Sequence, residues 1–377
     1  MLGLLWAGLA FTRSLGRRGV PVTGVALEPH EFGLRSRYLA RRVQASTDEG
    51  VLAAVRAAAE TGGGRVVLFP ERDGHVAFCL RNWEALREVA DLPLPDDPQV
   101  VRRLRRKELV VQEAGRAGVA FPRTASAASE EGVQALDLEP PFLVKPVEGQ
   151  EFAAVFGEKL FVCADHAEAA AAWRRARDAG FETIVQELIP DAQDKVFSLF
   201  AYVGRSGRPL GTVVGRKLRA GPPHFGTASV FELRPEPRVL ETGLRLLSSA
   251  GYRGFAQVEL AYDARDDRFK LLEVNTRAPQ WGGIAMTPRY DIARLAYDDL
   301  CGEDPEPLPL FAEEGVRWIY LAKDAWSSLR MARARELGPR GFVRPYLRRR
   351  GKVRAILARD DLRPALASLA YLRAKVP

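Results

Sequence analysis

The sequence predicts a mixed α/β and α+β fold, in which a doubly wound N-terminal domain is followed by a region of strands with intervening helices. Three observations indicate this fold class. Strands alternate with helices over the first 95 residues, a proline-rich linker lies at residues 91–98, and a strand-rich region from residue 122 leads into a charged hairpin. The chain has 377 residues, of which 47% are hydrophobic, and this is enough for two or three packed units.

The first 95 residues carry the pattern of a parallel sheet covered by helices. The predicted helices are residues 9–18, 51–60 and 83–90. The predicted buried strands are residues 20–27 and 66–69. The strand before the first helix has only residues 1–5, which is consistent with a truncated start. Gly3 and Gly8 do not complete a GxGxxG pattern, so the sequence lacks the fingerprint of a dinucleotide site.

Cysteine usage and the N-terminal residues both predict a cytoplasmic protein. The three cysteines are widely separated and odd in number, which argues against a disulfide framework and for a reducing compartment. The apolar N-terminal run lacks a basic leader and is too short to span a bilayer. We therefore interpret it as a strand and a helix rather than a signal sequence.

The chain is basic, with a net charge of +8 and a pI of about 9.5. Such a charge favours anionic partners, which include nucleotides, nucleic acid, acidic metabolites and membrane surfaces. The excess is concentrated at residues 330–354, around the run Arg348-Arg349-Arg350. A solvated basic face is the simpler interpretation of this segment, and contact with a membrane surface is the alternative.

The most informative segment is a predicted hairpin at residues 255–275. Both halves alternate apolar and polar residues, and a charged turn at residues 263–268 separates them. Side chains two apart lie on one face of a strand, so Glu273 and Asn275 share a face, and strand pairing can bring Glu259 to the same face. Two carboxylates and an amide oxygen suit Mg²⁺, with a Ca²⁺ site and a solvated hairpin as alternatives.

Two lysines lie where an anion would bind. A single helix is predicted at residues 99–118, and Lys107 falls on its apolar stripe, between Leu104 and Val111. Lys145 ends a short apolar strand, because Pro146 disfavours helical geometry there. A lysine that faces inward needs either an anion or a route to water, so phosphate binding and snorkelling both stay open for Lys107.

Two further segments carry residues that could serve a nucleotide or a substrate. The strand at residues 184–188 has Glu187 near its end and could present backbone groups to an adenine edge, or it could be an ordinary edge strand. Arg216 and Lys217 precede a loop rich in glycine and proline, which suits a phosphate or a carboxylate. A solvated basic hairpin is the alternative for this second segment.

Arg277 follows the hairpin and points, in strand geometry, the same way as Asn275. A positive group at this place can stabilise the charge that develops in phosphoryl transfer. The structural alternative is a salt bridge with Glu259 or Glu273.

Taken in order, these residues resemble the ATP-grasp superfamily, and in particular its carboxylate–amine ligase and carboligase branch, which includes D-aspartate ligase-like proteins. The resemblance covers about residues 1–300. It is carried, in chain order, by Lys107, Lys145-Pro146, Gln186-Glu187, Gly215-Arg216-Lys217-Leu218-Arg219, Glu259 and Glu273-Val274-Asn275-Thr276-Arg277. The segment LLEVNTR is its most specific part, whereas the usual glycine-rich loop is poorly matched at residues 148–159.

The resemblance implies a role for each of these residues. The implied ATP contacts are Lys107 and Lys145 at the phosphates, Gln186, Glu187 and Leu188 at the adenine, and Asp194 at the ribose. The implied ligands of Mg²⁺, or of Mn²⁺ in its place, are Glu259, Glu273 and Asn275. The residues implied to face the acyl phosphate or the acceptor are Arg277, Arg216 and Lys217.

The resemblance also implies three domains. They are a pre-ATP-grasp α/β domain at residues 1–95, an ATP-grasp domain at residues 96–301 with a lid at about residues 122–190, and a basic, partly helical extension at residues 302–377. In such a protein Mg²⁺-ATP is expected between the two lobes of the ATP-grasp domain.

The implied activity is that of an ATP-dependent ligase. Such an enzyme activates a carboxylate as an acyl phosphate, releases ADP and phosphate, and joins the acyl group to an amine or a similar nucleophile. The expected partners are small-molecule carboxylates and amines, without nucleic acid, and a homodimer is compatible with the sequence.

Three alternatives stay open. A biotin-carboxylase-like enzyme that uses bicarbonate shares the Glu-x-Asn-x-Arg pattern. A non-catalytic protein could bind anions or a membrane surface through its basic C-terminal residues. A nucleotide-dependent oxidoreductase is disfavoured by the missing GxGxxG.

Overall fold

The structure, a computed structural model, describes residues 1–147, 152–190, 195–223, 226–347 and 351–375, with side chains described as far as residue 372. It contains two compact units. Unit 1 comprises Met1–Val101, Phe197–Val258 and Asn275–Pro377, and unit 2 comprises Arg102–Val196 and Glu259–Val274. The chain therefore passes from one unit to the other four times, and residues 1–95 and 302–377 both belong to unit 1.

The secondary structure alternates helices and strands along the whole chain. The strands are β1 (Val22–Ala26), β2 (Leu39–Gln44), β3 (Val66–Val67), β4 (Ala90–Asp91), β5 (Thr124–Ala125), β6 (Phe142–Pro146), β7 (Phe161–Cys163), β8 (Thr183–Glu187), β9 (Val196–Val203), β10 (Pro209–Gly221), β11 (Thr227–Leu233), β12 (Gly254–Asp263), β13 (Arg268–Asn275), β14 (Met286–Thr287), β15 (Tyr290–Asp291), β16 (Arg317–Ile319) and β17 (Lys352–Arg354). The helices are α1 (Trp6–Arg17), α2 (Asp48–Thr61), α3 (Asp73–Arg81), α4 (Trp83–Arg87), α5 (Pro98–Arg105), α6 (Lys107–Arg116), α7 (Glu130–Gln134), α8 (Phe152–Phe156), α9 (His166–Asp178), α10 (Pro237–Ser249), α11 (Ile292–Leu300), α12 (Leu321–Arg333), α13 (Pro339–Leu347) and α14 (Arg363–Lys375).

The N-terminal part of unit 1 is built from parallel strand pairs. β1 pairs in parallel with β2, and β3 pairs in parallel with β4. Leu2 bridges Val25 of β1 on one side and Pro70, three residues after β3, on the other. Parallel strands linked by helices are what the alternating sequence pattern predicts, and this part of the predicted fold class is confirmed.

Local signals in the sequence set the starts of several helices. α2 begins after Thr47, whose side chain accepts a hydrogen bond from the Gly50 N–H. α9 begins after Asp165, whose carboxylate accepts from the Glu168 N–H. α10 has Pro237 as its first residue, where the missing N–H has no helical partner to lose. Helix α2 begins and ends within three residues of its predicted bounds, 51–60.

One predicted helix is wrong, because residues 99–118 form two helices, α5 and α6, instead of one. Arg106 between them is extended, with φ −86° and ψ 122°, so α6 begins at Lys107. The spacing of buried side chains explains the break. Leu104 and Val110 are both buried, although six residues would place them about 120° apart around a single helix. The break lets both side chains face apolar surroundings and places Lys107 at a helix start.

The largest sheet of unit 1 has the strand order β12-β9-β10-β11-β16-β17. β9, β10, β11 and β16 pair with one another in antiparallel fashion, and β17 is parallel to β16. One row of directly paired residues crosses the sheet, and its members are Phe197, Arg216, Glu232, Arg317 and Lys352. This row places charged side chains of four successive strands, β10, β11, β16 and β17, next to one another.

Unit 2 contains a four-stranded antiparallel sheet with the order β5-β8-β6-β7. β6 pairs with β8 from Phe142↔Glu187 to Pro146↔Thr183. Its core is formed mainly by Val133, Phe142, Val144, Phe152, Phe161, Trp173 and Val185. The C-terminal half of β12, from Glu259, and β13 as far as Val274 form the predicted hairpin and also belong to unit 2.

The C-terminal residues pack against the N-terminal part of unit 1. The Asp361 carboxylate accepts from Arg13 Nε at 2.9 Å and from the Ser36 hydroxyl at 2.7 Å. The neighbouring Asp360 accepts from Arg17 Nη2 at 2.9 Å, near the surface. Across the described parts of the chain, no helix is both long and apolar enough to cross a membrane.

Candidate functional site

Two lysines converge in unit 2. Lys107 is the first residue of α6, and its ammonium donates to the Pro146 carbonyl at the end of β6. Lys145 donates to the Gln186 side-chain oxygen at 2.6 Å. Both lysines line a cavity of about 20 Å³, whose other lining residues are Val110, Val111, Phe121, Ile184, Gln186, Leu271 and Leu272. An enclosed space of this size holds about one water molecule, so it marks where the ammonium groups meet rather than a full nucleotide pocket.

Within the described residues, neither of these two ammonium groups has a hydrogen bond to a carboxylate. Burial lowers the pKa of Lys145 from its ordinary 10.5 to about 8, against the opposing effect of the Glu273 carboxylate and with a further lowering by Lys107. Burial also lowers the pKa of Lys107, and Glu273 again opposes the shift. Within the described residues, the hydrogen bonds of both ammonium groups go to uncharged oxygens. Two partly buried cations that share one nearby carboxylate can accommodate an anionic ligand.

Gln186 orients Lys145 through a short chain of hydrogen bonds. Its Oε1 accepts from Lys145, and its Nε2 donates to the Thr124 hydroxyl at 2.8 Å. That hydroxyl donates to the Pro122 carbonyl, also at 2.8 Å. Sequence reasoning missed Thr124, and the signal that identifies it is the pairing of β5 with β8, which places Thr124 opposite Gln186. The side chain that was predicted at the adenine therefore contacts Lys145 in this structure.

The other residues of the predicted adenine edge are engaged within unit 2. The Glu187 N–H donates to the Arg123 carbonyl and the Leu188 N–H donates to the Pro141 carbonyl, both at 2.9 Å. The Glu187 carboxylate lies 3.7 Å from the Arg123 guanidinium. Because the fold uses these two amides, a base at this edge would contact other groups of the strand. Asp194, the predicted ribose contact, lies outside the described residues.

The predicted metal ligands lie on the hairpin strands. In unit 2, Glu259 on β12 is buried and Glu273 on β13 is exposed. Asn275 is the last residue of β13 and belongs to unit 1. No group of three or more His, Cys, Asp or Glu side chains in the described ranges is arranged to hold a metal ion. The predicted set has only two such residues and an amide, a donor set that fits Mg²⁺, and it stays a prediction.

Arg277, in unit 1, is held by a carboxylate that the sequence pattern did not reveal. Its Nη2 donates to Asp73, the first residue of α3, at 2.7 Å. The same nitrogen lies 3.4 Å from the Asn275 side-chain oxygen. Asp73 therefore positions Arg277 next to Asn275, and a separation of 204 residues explains why local patterns missed it.

The two other residues predicted to face the substrate lie on β10 in unit 1. Arg216 is directly paired with Glu232 across the sheet, and its guanidinium is 3.7 Å from that carboxylate. Glu232 lies closer to Arg317, at 2.7 Å. Lys217 is paired with Phe231 and is partly exposed. The charged row across the sheet thus sets the position of Arg216, while a contact of either residue with an acyl phosphate stays a prediction.

The start of α1 is occupied by the protein's own carboxylates. Glu31 accepts from the Leu4 N–H at 2.5 Å, and Glu71 accepts from the Leu5 N–H at 2.9 Å. Burial raises the pKa of Glu71 to about 7, and the charge of Glu31 raises it as well. In dinucleotide-binding domains this helix end binds the pyrophosphate. Two acidic side chains at that place count against a dinucleotide site, in agreement with the missing GxGxxG.

Comparison with solved structures shows which fold the chain adopts. The chain is similar to N5-carboxyaminoimidazole synthetase from Staphylococcus aureus complexed with ADP, with a TM-score of 0.64 and 13% identity over 83% of this chain and 78% of that one. It is also similar to a biotin carboxylase–β-γ-ATP complex from Campylobacter jejuni, with a TM-score of 0.61 and 19% identity over 80% of this chain and 69% of that one. The fold is therefore that of ATP-grasp enzymes, and the predicted fold class and resemblance are confirmed at this level.

A sequence relative lies in the branch that the motifs indicated. A D-aspartate ligase from Enterococcus faecium (strain Aus0004) is 27% identical over 173 residues. This match covers 44% of the chain and 41% of the ligase, so the chain matches less than half the length of that curated relative. No family model matches the chain.

Proposed function

We propose that the chain is an ATP-dependent ligase that activates a carboxylate as an acyl phosphate and joins it to an amine. The observation that carries this proposal is the pair of lysines in unit 2, Lys107 and Lys145, whose ammonium groups bond uncharged oxygens. Phosphate groups supply the negative charge that these cations lack. The ATP-grasp fold and the similarity to a D-aspartate ligase support the same reaction class.

ATP is the proposed phosphoryl donor, and Mg²⁺ is its proposed metal ion, with Mn²⁺ as a substitute. Lys107 and Lys145 bind the phosphates, and Gln186 keeps Lys145 in place through the bond described above. The proposed metal ligands are Glu259, Glu273 and Asn275. The metal ion would neutralise phosphate charge during transfer.

The proposed reaction has two steps. A carboxylate oxygen of the first substrate attacks the γ-phosphorus, the bond from that phosphorus to its bridging oxygen breaks, and ADP leaves. The amine nitrogen of the second substrate then attacks the carbonyl carbon, inorganic phosphate leaves with its electron pair, and the nitrogen loses a proton to solvent. Arg277, Arg216 and Lys217 are proposed to stabilise the acyl phosphate or to bind the acceptor.

The experiment that tests this proposal is an ATP turnover assay on the purified chain with Mg²⁺. The panel contains D- and L-amino acids and small carboxylates, offered singly and in pairs, and D-aspartate comes first because of the named relative. We expect ADP and phosphate to appear only when a carboxylate and an amine are both present. AMP and pyrophosphate would contradict the acyl-phosphate route.

A carboxylase that uses bicarbonate is the second candidate, and the similarity in fold to biotin carboxylase favours it. The same assay separates the two candidates, because bicarbonate is then added in place of the carboxylate panel. Release of ADP that depends on bicarbonate and needs no other carboxylate would select the carboxylase.

A further inference from the structure

Helix α12 in unit 1 buries polar side chains and exposes apolar ones, which is the reverse of an ordinary surface helix. Its buried residues are Asp324, Ser327 and Ser328. The Asp324 carboxylate accepts from Arg219 Nε and from the Ser229 hydroxyl, both at 2.8 Å. The Ser327 hydroxyl donates to the Ala220 carbonyl. These contacts attach the polar side of the helix to β10 and β11.

The outward side of α12 carries large apolar side chains. Leu321 is 65% exposed, Leu329 is 51% exposed and Trp326 is 40% exposed. Helix α13 is joined to α12 by a hydrogen bond from Tyr346 to Asp324. The exposed apolar residues of α13 are Phe342, Val343 and Leu347. Because a surface helix normally buries its apolar side, this arrangement indicates a surface that meets an apolar partner.

The same segment is strongly basic. Residues 321–354 contain eleven Lys and Arg residues and two acidic residues, a net charge of +9, against +8 for the whole chain. One of the two acids, Asp324, is buried in the contacts already described. The Arg330 guanidinium lies over the Trp326 ring, 4.9 Å from its centroid. Cationic and apolar groups are therefore interleaved on the exposed side of these helices.

We propose that the α12–α13 surface docks on the surface of an anionic lipid bilayer. This surface consists of the six exposed apolar residues just named and of the exposed arginines Arg330, Arg333, Arg340 and Arg344. A bilayer surface offers acidic headgroups to the arginines, and the boundary of its acyl chains offers an apolar medium to the leucine and aromatic side chains.

Other occupants match only part of this surface. A second copy of the chain in a two-fold dimer would set the basic surface against itself, because both partners of such a dimer use the same patch. Nucleic acid would match the arginines through its phosphates but would leave the leucines without an apolar partner. An anionic bilayer matches both the arginines and the apolar side chains, so we assign the surface to this partner.

The test is co-sedimentation of the full chain with vesicles. One set of vesicles contains phosphatidylcholine alone, and the other is an equimolar mixture of phosphatidylcholine and phosphatidylglycerol. We expect binding to the mixed vesicles only, and we expect salt to weaken it because the arginines contribute through screened charges. Equal binding to both sets, or no binding to the mixed set, would overturn the proposal.

Two double variants locate the contact. The pair Trp326→Ser and Leu329→Ser leaves the charge unchanged and is expected to weaken binding to the mixed vesicles about tenfold or more, since it removes two apolar side chains from the interface. The control pair is Leu366→Ser and Leu369→Ser, which are exposed leucines on α14 and are expected to leave binding unchanged. Thermal melting and ATP turnover of all variants should match those of the parent chain.

Equal weakening of vesicle binding by the two pairs of substitutions would exclude the α12–α13 surface as the contact. Size-exclusion chromatography with light scattering provides a second check. Dimerisation that the Trp326 and Leu329 substitutions abolish would assign the surface to a second copy, and tight duplex DNA binding that they leave intact would assign it to nucleic acid. Either result, with no vesicle binding, contradicts the proposal.

Discussion

Cations that are shielded from water have different partners in the two units. In unit 1, Arg13 lies 2.9 Å from the Asp361 carboxylate, and both side chains are almost wholly buried. Arg13 also donates to the Ile356 carbonyl at 2.7 Å. In unit 2, Lys107 and Lys145 donate to a backbone carbonyl and a side-chain amide, with one carboxylate, Glu273, acting on both from farther away.

This difference separates a structural contact from a site. A buried ion pair with its hydrogen bonds satisfied is electrically complete, and removing one partner leaves the other as an unpaired buried charge. Two partly buried ammonium groups that, within the described residues, have no carboxylate at hydrogen-bond distance raise the free energy of the folded protein until an anion binds. The side chains fit these tasks, because arginine holds a carboxylate with several fixed donors whereas lysine is a compact charge whose pKa shifts readily.

The largest expected effect on stability is that of Arg13→Met. The substitution leaves the Asp361 carboxylate buried, with the Ser36 hydroxyl and the Arg37 N–H as remaining donors. We expect the free energy of unfolding, measured in urea, to fall by about 3–5 kcal/mol.

The matched control for this change is Arg17→Met on the same helix. Arg17 pairs with the neighbouring Asp360, and both side chains are substantially exposed. Because water screens such a pair, we expect a loss of at most about 1 kcal/mol. Equal losses in the two variants would show that burial does not distinguish the pairs.

The largest expected effect on turnover is that of Glu273→Gln. This change removes one negative charge with little change in shape, and we expect it to lower ATP turnover about 1000-fold because the metal ion loses a ligand. The control is Glu241→Gln on α10, an exposed carboxylate, and its turnover should equal that of the parent chain. Full activity of Glu273→Gln would contradict the metal assignment.

The substitution Lys145→Met should have opposite effects on activity and stability. We expect ATP turnover to fall about 100-fold, because a phosphate contact is lost, while the free energy of unfolding stays constant or rises, because a buried charge is removed. The control is Lys270→Met in the same unit. Lys270 pairs with Asp263 at 2.7 Å and Asp266 at 3.0 Å, so its loss should reduce stability and leave turnover largely intact. A stability loss at Lys145 equal to that at Lys270 would count against an uncompensated charge.

The smallest expected effect is a pH dependence of ATP binding. The pKa of Lys145 in the free protein is about 8, below the ordinary 10.5, so the ammonium that binds phosphate is lost as the pH rises through about 8. Calorimetry at constant ionic strength should show the Kd rising by up to about tenfold per pH unit above that value. In Lys145→Arg, which keeps its charge, the Kd should not change over the same range.

The same shift has a defined sign for stability. The unfolded chain keeps the Lys145 proton up to about pH 10.5, whereas the folded chain loses it near pH 8. Between these values the unfolded state binds more protons, so the free energy of unfolding of the free protein should rise with pH. Urea unfolding of the parent chain and of Lys145→Met, compared at each pH, isolates this contribution, and a fall with pH that depends on Lys145 would contradict the assignment.

Sequence reasoning succeeded where local periodicity decides the structure. The hairpin was predicted at residues 255–275, and β12 and β13 form it. Lys145 was predicted at a strand end, and it is the residue before the last in β6. Alternation of period two and a proline that cannot continue a helix act over a few residues, so a single sequence contains the whole signal.

Sequence reasoning failed where distant segments decide the structure. Residues 99–118 form two helices with an extended Arg106 between them, and both Leu104 and Val110 are buried. The sequence did not reveal that the side chain of Gln186 contacts Lys145, which follows from the pairing of β8 with β6 and β5, and the adenine contact of Gln186 stays a prediction. The basic C-terminal segment was predicted to be a solvated face or a membrane contact, but its pattern did not show that α12 buries its polar side.

By itself, the sequence determined the ATP-grasp type of fold, the order of the lysines, acids and Asn275, and the concentration of positive charge near the C-terminus. Only the tertiary structure decided which of the buried cations are neutralised by the protein itself. Arg13 pairs with Asp361, which is 348 residues away in the sequence. The ammonium of Lys145 donates to an amide oxygen that is 41 residues away. The physical reason is that charge compensation depends on distance in space and on burial, and neither is encoded in the spacing of residues along the chain.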